Sequence, residues 1–413
     1  MKIAVVGSGI AGLGAAWLLS RAHEVVLFEA QSRLGGHTHT HQVPSADGVL
    51  AVDTGFIVHN PRNYPLFTRM LAELGVASQP TTMGFSVQDA RTGLEYNASN
   101  LNAMFCQRGN LVSPRFLRMV REIIRFYRDC RSLLALDGEG PTLGEYVRSQ
   151  GYSDLFVEDH LVPMASALWS SPSSNVMQFP AKYLVQFMDN HHMLQVDGRP
   201  EWRVVRGGSS SYIAAMEAIW SVSVRLSCPV RSVRREASRV MVTADGGEEP
   251  FDHVVLACHS DQSLSLLADP SPAERAILGA IRYQENETVL HTDITLLPTR
   301  RAAWAAWNAY IPAVAGAECT VSYCMNLLQR LRAPETYIVT LNRSDEIAAE
   351  KVIARMQYQH PIHDHPSVAA QSQRTQISGS ARTWYAGAYW GFGFHEDGLR
   401  SGVEVARELG VVW

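Results

Sequence analysis

Residues 1–40, MKIAVVGSGIAGLGAAWLLSRAHEVVLFEAQSRLGGHTHT, decide how the rest of the chain is read. Ile3–Val6 is a short apolar run rich in β-branched residues, the pattern of a strand buried on both faces. Gly7, Gly9 and Gly12 follow in G-x-G-x-x-G spacing, and Leu13–Ser20 continues with good helix formers. Val25–Phe28 is a second apolar run, and it ends on Glu29. Each part has a physical task. Gly7 permits a tight turn, Gly9 lets the backbone approach a pyrophosphate, and Gly12 lets helix and strand pack closely. The helix then turns its free N–H groups and positive dipole end toward the phosphates. A carboxylate at Glu29, about twenty residues past the glycines, can accept both hydroxyls of a ribose. Glycines interrupt the apolar run, and the charged stretch around Arg21, His23 and Glu24 has no clear cleavage site, which argues against a secretory leader.

Composition narrows the class. A chain of 413 residues is too long for one simple core and predicts two interleaved domains. With 46% apolar and 18% charged residues it reads as an ordinary globular enzyme. Lys+Arg 36 against Asp+Glu 40 gives a net charge of −4, so there is no global electrostatic case for nucleic acid. No apolar run has the length of a membrane span. The six cysteines lack zinc-type pairs and read as reduced thiols of a cytoplasmic protein. Only Lys2, Lys182 and Lys351 are lysines, so nearly all positive charge is arginine.

Further along, His37, His39 and His41 alternate as on a strand, without a carboxylate or Cys at a telling spacing, and no metal is expected. His59 either faces a reaction chamber or caps the turn before Pro61. Tyr64–Leu74 predicts a helix closed by Gly75, and Phe85–Gln88 with Gly93–Tyr96 a hairpin. Pro114–Leu134 predicts a helix with arginines at 115, 118, 121, 125, 128 and 131. That face is either solvated or laid on an anionic membrane surface. Phe156–Met193 is rich in aromatics and methionine, suited to an adaptable apolar pocket or to plain core.

Val222–Leu226, Val230–Val233, Val240–Val242 and Val254–His259 predict short strands. Ser271–Tyr283 predicts a helix, and Glu285–Thr295 a strand carrying Glu287 and His291, acid/base groups by type. Val321–Leu328 and Tyr337–Leu341 predict strands, Ala348–Arg355 a helix, and His363–Pro366 a turn. Thr383–Gly387 predicts a strand ending on Gly, and Leu399–Leu409 a helix with small Ser401, Gly402 and Ala406 for close packing.

Glu29-x-x-x-Arg33-x-Gly35-Gly36 resembles the flavin-binding signature of the amine oxidase and phytoene desaturase superfamily. Ala22-His23 departs from the family's usual Gly-His, at a surface turn. The resemblance, more than the spacing, implies FAD. It implies that Arg33, Gly35 and Gly36 bring a second backbone segment to the pyrophosphate, with His37 and Thr38 beside it. It also implies that the segment Val52–Asn60, with Gly55 and Phe56, runs along the isoalloxazine. Val230 then contacts the adenine, and Ala257 and Gly387 end strands near the cofactor. His395, Glu396, Asp397 and Gly398 open a helix aimed at the flavin pyrimidine. The implied fold is α/β: a Rossmann-like FAD-binding domain of the two-dinucleotide type with an interleaved α+β substrate domain. The FAD domain takes 1–75, 200–265 and 380–413, and the substrate domain takes 76–199 and 266–379.

The strings Gly35–Thr40, Val52–Asn60 and Gly391–Gly398 look like a bacterial subgroup often encoded beside cyclopropane-fatty-acyl-synthase-like methyltransferases. That implies hydride transfer from a substrate carbon to flavin N5, in a dehydrogenase or desaturase of a modified acyl chain. His59, Glu287, His291 and Tyr389 are the candidate acid/base residues. The rivals are oxidation of an amine, caged by Tyr389 and Trp390, and a non-catalytic flavin-binding partner of a lipid methyltransferase. The expected placement is cytoplasmic, with Arg115–Arg131 as the candidate contact to the inner face of the membrane.

Overall fold

A computed structural model describes residues 1–46, 48–314 and 317–413. Five parallel strands form one sheet in the order Val222–Arg225, Glu24–Phe28, Lys2–Val6, His253–Leu256, Thr383–Tyr385. Successive side chains of a strand point to opposite faces. Ile3 and Val5 accordingly join a core with Leu13, Trp17, Leu399 and Val405. Ala4 and Val6 join another with Phe28, Val233, Val242 and Leu278 on the far side. The mostly apolar run of the first strand thus reflects burial on both faces.

The first helix, Ile10–Leu19, is buried along its whole length. It lies under the C-terminal helix His395–Glu408, and small residues set the spacing. A Cβ on Gly402 would stand 2.4 Å from the Ala11 carbonyl oxygen, and one on Gly14 would stand 2.6 Å from Leu399 Cδ1. This close crossing holds the two ends of the chain together.

A seven-stranded sheet forms the second layer. Its order is Val352–Pro361, Tyr283–His291, Ile338–Leu341, Thr320–Cys324, Trp307–Ile311, Phe85–Asp89, Leu94–Asn97. All neighbours are antiparallel except Trp307–Ile311 and Phe85–Asp89. Helices from Pro114 to Asn190 cover one end, around a core of Phe116, Phe126, Phe156, Phe179 and Phe187. Among the described residues no helix is long and apolar enough to cross a membrane.

Several elements differ from the sequence reading. Ala348–Arg355 is not a helix. One 3-10 turn at Ala349–Lys351 leads into the strand Val352–Pro361, which pairs with Tyr283–His291 from Tyr283 opposite Pro361 to His291 opposite Val352. Ladder hydrogen bonds on a sheet edge outweigh the helix preference of Ala, Glu and Lys. The strand expected over Val321–Leu328 stops at Cys324, and Met325–Leu328 turns helical. The helix expected over Ser271–Tyr283 spans Pro272–Gly279, because Tyr283 already starts a strand. The arginine helix ends at Asp129 and continues as a 3-10 turn, Cys130–Ala135. At His363–Pro366, Asp364 caps a helix over His365–Gln371 by accepting from Ser367 N.

Candidate functional site

One cavity of about 1240 Å³ runs from the G-x-G-x-x-G turn to the covering helices. That exceeds the roughly 300–1,000 Å³ of ordinary single-ligand pockets, so it has room for a substrate beside a dinucleotide. At its nucleotide end lie Gly7, Gly9, Ile10, Ala11, Glu29, Arg33, Gly36, Val230 and Ala257. Gly7 has φ +99°, and a Cβ there would meet the Ala257 carbonyl oxygen at 2.9 Å. Gly9 is the opposite case: with φ −62°, an added Cβ meets no protein atom within 4 Å. The open space beside Gly9 lies at the start of the first helix, whose Ile10 and Ala11 also line the cavity. Such a helix start is where an anionic phosphate is stabilised.

Glu29 sits where the second strand ends. Its Oε2 accepts from Ser8 N at 2.9 Å and its Oε1 from Gln31 N at 2.8 Å, which fixes the carboxylate at the cavity wall. Arg33 works inward: it donates to the carbonyls of Gly36 at 2.8 Å and Thr38 at 3.1 Å, and so shapes the Gly35-Gly36 turn. Gly36, with φ +57°, then packs against Gly9, where its Cβ would stand 3.2 Å from Gly9 Cα. These features fit a flavin dinucleotide: a glycine cradle, a helix start and a ribose-height carboxylate.

Of the cofactor residues read from sequence, Gly7, Gly9, Glu29, Arg33, Gly35, Gly36, His37, Gly55, Phe56, Val230, Ala257, Gly387 and His395 line the cavity. Five others lie behind its wall. A Cβ on Gly12 would stand 1.9 Å from the Gly7 carbonyl oxygen, so Gly12 is a packing glycine. Thr38 bonds to the Tyr212 hydroxyl at 2.6 Å, which bonds in turn to His395 Nε2 at 3.0 Å. Glu396 accepts from the backbone N–H of Leu66 and Phe67, and so caps the helix Pro65–Glu73. Asp397 accepts from Phe394 N and Arg400, and a Cβ on Gly398 would stand 2.7 Å from Ile10 Cγ2. The C-terminal helix therefore touches the cavity through His395, with Gly393 and Phe394 of the turn before it, while the next three residues hold it in place.

The acid/base candidates separate in the same way. Tyr389 lines the cavity, and its buried hydroxyl has no partner among the described residues. Burial pushes that phenol well above its ordinary range, so it stays protonated. His59 is buried behind the wall against Phe67, its ring 5.2 Å away. Burial and then Arg203 push it down to about 4. Glu287 is on the outer side of its strand, paired with Arg355 at 3.1 Å. His291 is locked between the Thr340 hydroxyl at 2.7 Å and Asp293 N at 3.0 Å. Neither Glu287 nor His291 borders the cavity.

The far chamber is lined by Tyr64, Phe85, Met164, Leu168, Trp169, Phe187, Met193, Trp202 and Phe394. Met164, Trp169, Phe187 and Met193 come from the aromatic and methionine-rich segment, whereas its Phe156, Phe179 and Met188 went to the core. Apart from Glu29 and Arg33, the charged lining residues are Arg199 and Glu201, and both are exposed.

Beyond His37 and His395, sequence reading missed the imidazoles of His160, His259 and His360 that face this space. The ring centroid of His37 lies 5.3 Å from that of His360 and 6.3 Å from that of His259. His160 lies on a π-helical turn, Val157–Leu161, a geometry frequent at functional sites. The Tyr96 hydroxyl donates to the Asp159 carbonyl at 2.8 Å, so the His160 Nδ1–H must donate to Tyr96 at 2.9 Å. That leaves a lone pair on His160 Nε2, which has no partner among the described residues. Burial and Arg199 push His160 down to about 3, so it is neutral. His360 lay hidden because its strand alternates without a strong apolar face; His160 gave no signal at all.

A family model described as flavin containing amine oxidoreductase matches residues 10–293. A Mycobacterium tuberculosis protein, AofH, named provisionally as a flavin-containing monoamine oxidase, is 26% identical over 286 residues. The match covers 65% of this chain, which spans only 59% of that relative's length. Wild-type putrescine oxidase bound to putrescine superposes with a TM-score of 0.69 at 15% identity, covering 99% of each chain. The CLA-producing fatty acid isomerase from P. acnes gives 0.70 at 16% identity, covering 99% of this chain and 98% of its own. At such identities the superpositions show the fold.

Proposed function

The chain belongs to the flavin containing amine oxidoreductase family, and we propose that within it this protein dehydrogenates or desaturates a modified, methylated fatty acyl chain, free or in a phospholipid. Its class is flavin oxidoreductase and its cofactor FAD. Bound FAD supplies a hydride acceptor. In this reading Gly7, Gly9 and Gly36 hold the pyrophosphate, Glu29 the ribose and Val230 the adenine. Gly55, Phe56 and His395 border the ring system.

The observation that carries the acyl reading is the character of the far chamber: aromatic and thioether walls, with Arg199 and Glu201 as its charged lining residues. A hydrocarbon chain gains about 0.8 kcal/mol per buried CH₂ in such a space. An ammonium ion would lose its hydration there, and Glu201, the chamber's carboxylate, is exposed and already paired with Arg203. The walls exclude water and fix the chain, which is the positioning a C–H bond needs. His160 Nε2 offers an acceptor to a hydroxyl of a protonated carboxyl group or of a lipid headgroup. Tyr389, held protonated, acts as a hydrogen-bond donor in place of the base expected of it.

Amine oxidation is the second reading. Tyr64, Trp169, Trp202 and Phe394 offer ring faces to an amine, and two of the similar proteins carry amine oxidase names. Against it, the resemblance to amine oxidases implies a lysine beside the flavin, and no lysine lines the cavity among the described residues. Lys2 pairs with Glu249, Lys351 with Asp293, and Lys182 donates to the Leu136 carbonyl.

Anaerobic titration of the FAD-loaded protein separates the readings. Loss of visible flavin absorbance with methyl-branched fatty acids or their phospholipids, and none with putrescine or cyclohexylamine, supports the acyl reading. The reverse establishes the amine. No bleaching by either class leaves a flavin-binding partner protein as the better account.

A further inference from the structure

Leu101–Arg131 carries seven arginines against Glu122 and Asp129, a net charge of +5 in a chain whose total is −4. The structure folds it into a short helix Leu101–Met104, a 3-10 turn Arg108–Val112 and the helix Pro114–Asp129. Phe116, Met119, Ile123 and Phe126 turn into the core. Four large apolar side chains go the other way: Val112 is 82% exposed, Leu101 77%, and Leu111 and Ile124 51% each.

One exposed apolar residue is ordinary, but four between Leu101 and Ile124 make an exposed apolar stretch. Unneutralised cations flank it. Arg108 donates to the Asn102 side chain and the Phe105 carbonyl, and Arg121 to the Leu117 carbonyl. No salt bridge to Arg108, Arg115 or Arg121 occurs among the described residues; Arg128 pairs with its chain neighbour Asp129. Leu117, Arg121, Ile124 and Arg128 recur at three- and four-residue steps and so share one helix face. The surface also adjoins the cavity. Tyr127 of the same helix lines it, as do Ala98 and Ser99, just before Leu101.

We propose that this surface docks the protein on an anionic lipid bilayer. Leu101, Leu111, Val112 and Ile124 enter the boundary between headgroups and acyl chains, and Arg108, Arg115, Arg121 and Arg128 meet lipid phosphates. Apolar side chains combined with a basic rim are what an anionic interface selects. A nucleic acid would use the arginines and leave the apolar side chains in water. The inference stands apart from the acyl reading, because its test measures binding and not flavin bleaching.

The test is co-sedimentation of the full FAD-loaded chain with phosphatidylcholine vesicles and with vesicles of equal phosphatidylcholine and phosphatidylglycerol. Binding is expected to the anionic vesicles alone, and it should weaken as salt is raised. Leu111→Ser with Val112→Ser should weaken it about tenfold or more. Arg115→Glu with Arg121→Glu should weaken it by roughly thirtyfold or more. Arg231→Glu with Arg234→Glu, on the strand Val230–Arg235, should leave it unchanged. All these side chains are exposed, and retained flavin content shows that each variant folds. Failure to bind anionic vesicles, equal binding to both kinds, or undiminished binding by either patch variant overturns the proposal.

Discussion

Replacing Gly9 by Ala should separate flavin binding from stability. The residue has φ −62° and ψ 173°, a conformation open to any L-amino acid. Its new methyl would meet no protein atom within 4 Å. The apoprotein should therefore be unharmed, or stabilised by about 0.4–1 kcal/mol through the unfolded chain's lost freedom. The methyl would nevertheless stand in the space assigned to the pyrophosphate. An overpacked methyl costs about 1–3 kcal/mol. At about 1.4 kcal/mol per factor of ten, flavin affinity should fall roughly 5- to 150-fold.

Gly12→Ala is the matched control. Its methyl would stand 1.9 Å from the Gly7 carbonyl oxygen. The helix and the turn must therefore part by about 1.6 Å to restore a contact of roughly 3.5 Å. This variant should lose stability and flavin together. The assay is fluorescence titration of apoprotein with FAD, beside thermal melts of both apoproteins. A Gly9→Ala protein that binds FAD like the parent would refute the assignment of the phosphates to this turn. So would one whose apoprotein is as damaged as Gly12→Ala.

Other outcomes follow from buried charge and packing. Arg235 and Glu274 are both buried, joined at 2.5 Å, and the Tyr385 hydroxyl donates to the same carboxylate at 2.6 Å. Glu274→Ala should cost about 1–3 kcal/mol in chemical denaturation, because it leaves the buried Tyr385 phenol without its acceptor and Arg235 with Asp269 as its remaining partner. His160 and His363 are pushed down to about 3 by burial, below the unfolded value near 6.5. The unfolded chain therefore takes up protons first as pH falls. No penalty exists above about 6.5, and below it each histidine should remove roughly 1.4 kcal/mol per pH unit until its folded value is reached. Denaturation curves at pH 7.5 and 5.5 measure the sum; equal midpoints would contradict it. Gly402→Val should loosen the crossing of the first and last helices, since a Cβ already stands 2.4 Å from the Ala11 carbonyl oxygen. A lowered melting temperature and weaker FAD retention are expected together.

The nucleotide half was legible because its parts are local. Strand, glycines, helix, strand and Glu29 follow one another within thirty residues, and each rests on backbone geometry that the residue type sets. Even there, motif membership did not separate contact from support. Gly12, Thr38, Glu396, Asp397 and Gly398 belong to the same strings as the lining residues, yet they pack or cap behind them. Glu287 and His291 showed the limit of residue type: one ended in a surface ion pair and the other in a closed hydrogen-bond network.

By itself the sequence determined a flavin dinucleotide fold, the pairing of its two chain ends, and an arginine-rich helix with one apolar face. The strand–glycine–helix order and the helix pattern follow from spacing along the backbone, which the chain carries before it folds; the flavin and the meeting of the two ends followed from the family resemblance. Only the tertiary structure decided the chamber. His160, Trp202, Tyr358, His360 and Phe394 come from separate segments and meet because two sheets and a cap of helices close around one space. It also decided which apolar residues of the arginine-rich segment were left outside. Burial depends on what packs against a side chain, and that neighbour lies far away in sequence.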